Sequence, residues 1–303
     1  MTMRIVPVPG QGTEDVVVAE DGALFTGTAD GAIWRVTDDA RRIDQVANTG
    51  GRPLGIEIGP DGRLVVCDAR GLLRVDPASG AVEVLVSTVA GAPMAFCNNA
   101  AVADDGTIWF SDSSADFGID RWRDEMAMNT RTGRLLRLDP GAVEPDVVDQ
   151  GLAFANGVAL AADGSFVAVA ETAARTVVRR WLTGARAGDR DLLVATLPGY
   201  PDNIARGSDG LTWVALASPA DALVERIQHG PRWIRRAATR VPARLQPGPK
   251  RTVRVQAYDE TGRLVHDIEA PADSFHMVTG VRECEGRVWL SSLQESALAV
   301  VDL

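Results

Sequence analysis

The strongest constraint on this chain is a repeated turn. Six times an acidic residue followed by glycine stands between two short apolar runs: Asp21-Gly22, Asp61-Gly62, Asp105-Gly106, Asp163-Gly164, Asp209-Gly210 and Glu285-Gly286. Asp-Gly in that setting is a strong hairpin signal, because glycine tolerates the positive φ that tight turns demand. Four positions beyond each acid stand Phe25, Val65, Trp109, Val167, Trp213 and Trp289, all large and apolar, as a buried strand position requires. A second hairpin signal often follows, as in "TADGAIWRV", "ARGLLRVDPASGAVEVL" and "RTGRLLRLDPG". The unit is thus about four antiparallel strands, and six units of roughly 40–60 residues match propeller blades. We read residues 1–303 as a single all-β domain, a six-bladed β-propeller; a pair of β-sandwiches does not explain six equivalent hairpins. The strand-like start "RIVPVP" and end "ALAVVDL" are expected to pair within one blade and close the ring, protecting its open edges.

Two segments break the period. Residues 115–132, "ADFGIDRWRDEMAMNTRT", interrupt blade three, and residues 224–252 interrupt blade five. The second is rich in arginine within a chain of net charge −10. It reads as a solvated helical insertion or as a lid or docking surface for an acidic partner or a membrane surface. Elsewhere the acidic balance, with a pI near 4.9, argues against nucleic acid as a partner. There is no apolar run long enough for a signal peptide or a membrane span, so stable membrane insertion is not expected and the reading is cytoplasmic. Cys67, Cys97 and Cys284 are too few and too scattered for a disulfide framework or a zinc site, and suit a reducing compartment. The oligomeric state is not legible.

In a propeller the innermost strand of each blade lines the central channel, so residues at one repeat offset share one level around the axis. Seven positions before each turn acid stand Glu14, Leu54, Asn98, Asn156, Asp202 and Val278. Four of these six carry oxygen donors. A lone Asn in such a place is usually a turn residue, but four polar side chains at one offset converge on one point. Converging carboxylates repel and are costly to bury without a counter-charge. Two carboxylates and two amides therefore suit a hard divalent cation, Ca²⁺ above all because it accepts several neutral oxygens in flexible geometry. No nucleophile elbow, HExxH, P-loop, GxGxxG or EF-hand sequence is present. Of the three histidines, His229 lies in the basic insertion, His266 lies on an outer strand with a structural role, and His276 enters blade six near the channel mouth. His276 is either a satisfied polar residue or a pocket base.

The segments "GTEDVVVAEDGALFTGTADGAIWRV", "NNAAVADDGTIWFSDSS", "FANGVALAADGSFVAVAET" and "LPGYPDNIARGSDGLTWVAL" resemble the blade signatures of the senescence-marker/gluconolactonase/strictosidine-synthase-like superfamily. The "GYPDNI" and "AET" forms are similar to its strictosidine-synthase-like branch. The resemblance implies a Ca²⁺ (or another divalent cation) held by Glu14, Asn98, Asn156 and Asp202. Where the family usually has Asn-Asp on blade three, this chain has Asn98-Asn99. The position matching the catalytic Glu of plant strictosidine synthases is His276. The expected activity is hydrolysis of a lactone or related ester, with Asp202 as base or nucleophile and His276 assisting. A small-molecule substrate is expected against Asn99, Phe96, Met94 and Trp122, with Phe96, Met94, Trp122 and Met126 forming an apolar pocket or lid. The alternatives are a strictosidine-synthase-like condensing enzyme or lyase, and a non-catalytic binding propeller with a structural metal.

Overall fold

Each of the six acid–glycine pairs reverses the chain between the first two strands of a sheet. The six glycines all hold positive φ, between +69° and +86°. In the five aspartate turns the carboxylate accepts the backbone N–H two residues on, at 2.8–3.1 Å, closing an Asx turn. The computed structural model describes residues 3–37, 40–242, 245–246 and 248–303; parts of the 224–252 segment therefore lie outside the described residues.

The strands form six four-stranded antiparallel sheets arranged in a ring, a six-bladed β-propeller. The innermost strands are Val16–Val18, Pro53–Ile58, Cys97–Val102, Ala155–Leu160, Gly199–Arg206 and Val278–Cys284. Each packs on the innermost strand of the next blade, and the last packs on the first. The ring closes by strand pairing: Met3–Pro7 pairs antiparallel with Ala297–Asp302 and supplies the outermost strand of blade six. Thr13 adds a latch, bridging Ser292 and donating its hydroxyl to the Ala297 carbonyl at 2.7 Å. The two ends of the chain thus pair as their sequence patterns predict, and no ring edge is left between first and last blade.

The cores lie between neighbouring sheets. Phe25, Val65, Trp109, Val167, Trp213 and Trp289, at equivalent places in the repeat, are all buried there. His266, on the outermost strand of blade five, stacks on Trp213 with ring centres 5.5 Å apart. His229 ends a cap helix and is exposed.

The two insertions form a cap. The first, after a 3-10 turn at Ile119–Arg121, is the helix Trp122–Met128 (α1); the second contributes Ala222–Gln228 (α2) and Arg232–Ala238 (α3). All three pack on one another. Gln228 donates to the Met126 carbonyl at 2.8 Å and Arg235 to the Met128 carbonyl at 2.7 Å, each satisfying an orphan acceptor at the C-terminal end of α1. The buried Glu125 accepts from Ser114, from the Thr130 backbone N–H and from the Thr130 hydroxyl, fixing α1 to blade three. An Arg175–Glu225 ion pair of 2.6 Å ties α2 to blade four. Among the described residues, no helix is long and apolar enough to cross a membrane.

Candidate active site at the channel mouth

The level seven residues before the turns coincides with a break in the sheets. In blades two to six the pairing of the innermost strand shifts register at or beside Leu54, Asn98, Asn156, Asp202 and Val278. A bulge adds a residue that the partner strand does not match, which re-aims side chains out of the pleat. At this level Glu14, Asn98, Asn156 and Asp202 all line one cavity of about 380 Å³ under the cap. Its walls are Phe96, Phe154, Tyr200, Met277 and Leu293, and its roof is Trp122, Met126, Val224 and Ile227. Phe96 and Phe154 stand with ring centres 5.5 Å apart. Phe154 and Met277 hold φ of +61° and +53°, a left-handed conformation that bulky residues rarely adopt and that packed surroundings must enforce.

The polar groups on the floor are oriented by neighbours. Asn98 donates its amide to the Ser113 hydroxyl at 2.8 Å, and Asn156 donates to Thr172 at 3.1 Å. Thr172 in turn donates to the Pro201 carbonyl at 2.8 Å, joining blades four and five. With their N–H groups occupied this way, the two amides are free to present oxygen to the axis. The Glu14 carbonyl accepts from Thr279 at 2.8 Å and Ser291 at 2.9 Å, so this residue is pinned through its backbone while its carboxylate stays available. Glu14 Oε2 and Asn156 Oδ1 are buried and have no hydrogen-bond partner. Unpaired acceptors in such a place are costly.

Burial, and then the neighbouring Asp202, push the Glu14 carboxyl well above the usual carboxylate range. Burial raises Asp202 to about 7, although the Asn156 amide beside it pulls the other way. Both shifts favour the protonated carboxyl, the direction a cation bound between the two groups would reverse.

One step along each strand lies a second tier: Asp15, Gly55, Asn99, Gly157, Asn203 and Thr279. Asp15 Oδ1 accepts from its neighbour Val16 N–H at 2.9 Å. Its Oδ2 accepts from Ile56 N–H at 3.1 Å and from the Asn99 amide at 3.0 Å. The Asn99 side-chain oxygen, Oδ1, accepts from Val158 N–H at 2.8 Å. This belt links blades one to four. Glycine is required between the polar members: a Cβ at Gly55 would come within 2.6 Å of Asn99 Cα, and one at Gly157 within 2.6 Å of Asn203 Cα. The belt was missed in the sequence because only one offset was followed; the adjacent offset shows the same polar–glycine alternation.

Of the residues expected around substrate, Phe96 and Trp122 line the cavity, as does Met126. Asn99 and Met94 do not. Asn99 is consumed by the belt, and Met94 is buried in the core between blades two and three with Val65, Cys67 and Phe110. His276 also stays off the cavity: it is held at the blade-six rim by Glu295, by Gln294 at 2.9 Å and by Arg251 at 3.3 Å. Its side chain leaves the rim position because the chain turns through left-handed Met277, which takes the inward place. Phe154 and Met277, not foreseen, are brought in by left-handed backbone rather than by any residue-type signal, and Tyr200 by the register shift beside it in its strand.

The sequence matches the SMP-30/Gluconolactonase/LRE-like region over residues 13–247. The chain belongs to this family. Among relatives of the SMP-30/gluconolactonase/LRE-like chain is the Arabidopsis thaliana protein strictosidine synthase-like 10, 35% identical over 263 residues, spanning 84% of this chain and 70% of the relative. The human adipocyte plasma membrane-associated protein is 31% identical over 312 residues, spanning 92% and 73%. In structure the chain is similar to a gluconolactonase from Xanthomonas campestris, with a TM-score of 0.73 at 18% identity over 99% of this chain and 89% of the other. A regucalcin from Agrobacterium tumefaciens, described as a calcium-binding protein, gives 0.68 at 13% identity, over 99% and 93%. At those identities the likeness is one of fold.

A divalent cation of the kind this family implies fits the floor of the cavity. Its donors would be Glu14, Asn98, Asn156 and Asp202, two charged and two neutral oxygens, a set that suits hard cations. Among the described residues no group of three or more His, Cys, Asp or Glu is arranged to hold a metal, so the two amides are indispensable to such a site.

Proposed function

We propose that this protein is a divalent-cation-dependent hydrolase, with Ca²⁺ as the preferred ion, acting on a lactone or related ester. The observation that carries the reading is the pair of buried, unpartnered oxygens, Glu14 Oε2 and Asn156 Oδ1, on the polar floor of an otherwise apolar cavity. Bound there, the cation supplies a Lewis acid toward the substrate carbonyl and stabilises the negative charge that develops on its oxygen.

The remaining work falls to the chain. Phe96, Phe154, Trp122 and Met126 surround the apolar part of the substrate and exclude water, which strengthens every electrostatic contact at the floor. Ser113 and Thr172 hold the two amides in the orientation that keeps N–H away from the reacting carbonyl. Asp202, on the cavity floor, would accept a proton from the attacking water or attack the carbonyl itself. Single turnover in H₂¹⁸O tests the second route: attack by Asp202 forms an acyl anhydride with loss of the alkoxide, and water that opens it at the Asp202 carbonyl leaves ¹⁸O in the enzyme, which direct attack of water on the substrate never does.

The test is a panel of lactones, carboxylic esters and phosphotriesters assayed with Ca²⁺ and after chelation. Hydrolysis that needs the cation and is abolished in Asp202→Asn supports the reading. Absence of turnover across the whole panel overturns it. The strictosidine-synthase-like relatives favour a second reading, amine–aldehyde condensation. The matching position for that enzyme's catalytic carboxylate is His276, which lies outside the cavity. Incubation with a tryptamine-like amine and an aldehyde decides it directly.

A further inference from the structure

The outer face of the cap is unlike the rest of the surface. Between Asp221 and Arg251 the chain carries seven arginines and one lysine against two acids, in a protein of net charge −10. Along α3 and just beyond it the residues Arg232, Trp233, Arg236 and Arg240 are exposed to solvent, while Ile234, Arg235 and Ala238 are partly buried. Arg226, Arg232, Arg236 and Arg240 have no carboxylate partner among the described residues, whereas Lys250 of the same segment pairs with Asp221, and Arg175 and Arg254 elsewhere are paired. Trp233 is 70% exposed, with Leu245 at 67% and Leu223 at 53%. Large apolar side chains exposed in a group and rimmed by cations mark an interaction surface.

The same patch is continuous with the active-site cavity. Leu223, Val241 and Leu245 are exposed to solvent and also line that cavity, together with Pro249 and Lys250. The apolar wall therefore runs from the floor carboxylates out to the surface beside α3.

We propose that the cap face docks on an anionic phospholipid surface. A tryptophan among unpaired arginines matches the interfacial region of such a bilayer, where indole sits at headgroup level and guanidinium groups meet phosphate. The opposite charge of the rest of the protein orients it, cap toward the lipid. The face joins exposed apolar side chains that run into the cavity with arginines that have no carboxylate partner, which suits a lipid surface, with both an apolar and an anionic layer, better than an acidic protein. Taken with the hydrolase reading, on which this clause alone rests, docking selects apolar lactones or esters that dissolve in the bilayer and pass into the cavity along Leu245, Val241 and Leu223.

Vesicle co-sedimentation tests docking without reference to catalysis. The full chain is mixed with phosphatidylcholine vesicles containing phosphatidylserine, and with pure phosphatidylcholine vesicles. Binding is expected to the former, falling as salt is raised. Each arginine near an anionic surface strengthens binding about fivefold, so Arg232→Gln with Arg236→Gln lowers affinity about 25-fold. Arg206→Gln, on the far mouth of the channel, leaves it unchanged. Brominated lipid quenches the fluorescence of the wild type, and Trp233→Phe removes most of that quenching. These positions are exposed, so circular dichroism of every variant is expected to match wild type. Equal binding to both vesicle types, or wild-type binding by the double arginine variant, overturns the proposal. So does a concentration-dependent dimer abolished by Trp233→Ala without vesicle binding, which assigns the face to a second copy. Capture by polyglutamate but not by vesicles likewise overturns it in favour of an acidic protein. A protein that binds vesicles yet hydrolyses nothing leaves docking standing and removes the hydrolase reading alone.

Discussion

Asp202→Asn separates the chemistry of the floor from its architecture, because it removes a charge while keeping the shape. An aspartate ordinarily near 3.8 is raised to about 7 in the folded chain. Below about pH 4 the group is protonated whether the chain is folded or not. Between about pH 4 and 7 the folded state keeps a proton that the unfolded state has released. Stability therefore falls as pH rises through that window, and above about 7 the loss is complete. Three pKa units at about 1.4 kcal/mol each set a ceiling of about 4 kcal/mol. Asp202 is only partly buried, and water reaching it reduces the realised effect to roughly 2 kcal/mol. At about 2–4 °C per kcal/mol for a large domain, the cation-free variant should melt roughly 4–8 °C above wild type at pH 8. At pH 4.5 the two should nearly coincide. Excess Ca²⁺ reverses the order: saturation at a hundredfold over Kd adds about 2.7 kcal/mol to the wild type and much less to the variant. The assay is thermal unfolding in chelator and in Ca²⁺ across pH 4.5–8. A variant less stable than wild type in chelator at pH 8, or a cation-free wild type that gains stability from pH 5 to 8, refutes the reasoning.

Other outcomes follow from the same structure. Asn99→Ala leaves Val158 N–H unpaired and removes a donor from Asp15, and should cost roughly 2–4 kcal/mol in urea unfolding. Glu125→Ala removes the acceptor that holds α1 to blade three; KM should rise several-fold with kcat little changed, and proteolysis should begin within 115–132. His276→Ala should leave turnover and the pH profile intact while lowering Tm, because the ring braces the rim rather than lining the cavity. Removing residues 3–7 exposes the edge of Ala297–Asp302, and concentration-dependent aggregation by light scattering is the expected result.

The repeat was legible because its causes are local. An Asp-Gly turn closes its own hydrogen bonds within three residues, and a strand's burial shows in its own alternation. Those signals placed the six hairpins and the strands that close the ring. Offset within a symmetric repeat then carried Glu14, Asn98, Asn156 and Asp202 to one level without any knowledge of loops. The same reasoning, extended by one residue, would have found the Asp15–Asn99 belt.

What lies between repeats obeys no such rule. Whether Asn99 faces substrate or crosses to Asp15 depends on the space that glycine opens in the neighbouring blade. Whether His276 enters the cavity depends on the left-handed turn at Met277, which sends Met277 inward and leaves the imidazole to Glu295 and Gln294. The meeting of α1 with α2 and α3, from insertions about a hundred residues apart, follows from adjacent positions around a closed ring. Local sequence determined the blades and the ring of oxygens because both arise from periodic, short-range preferences; the pocket, its roof and its exposed basic face were decided by contacts between segments that have no periodic relation to one another.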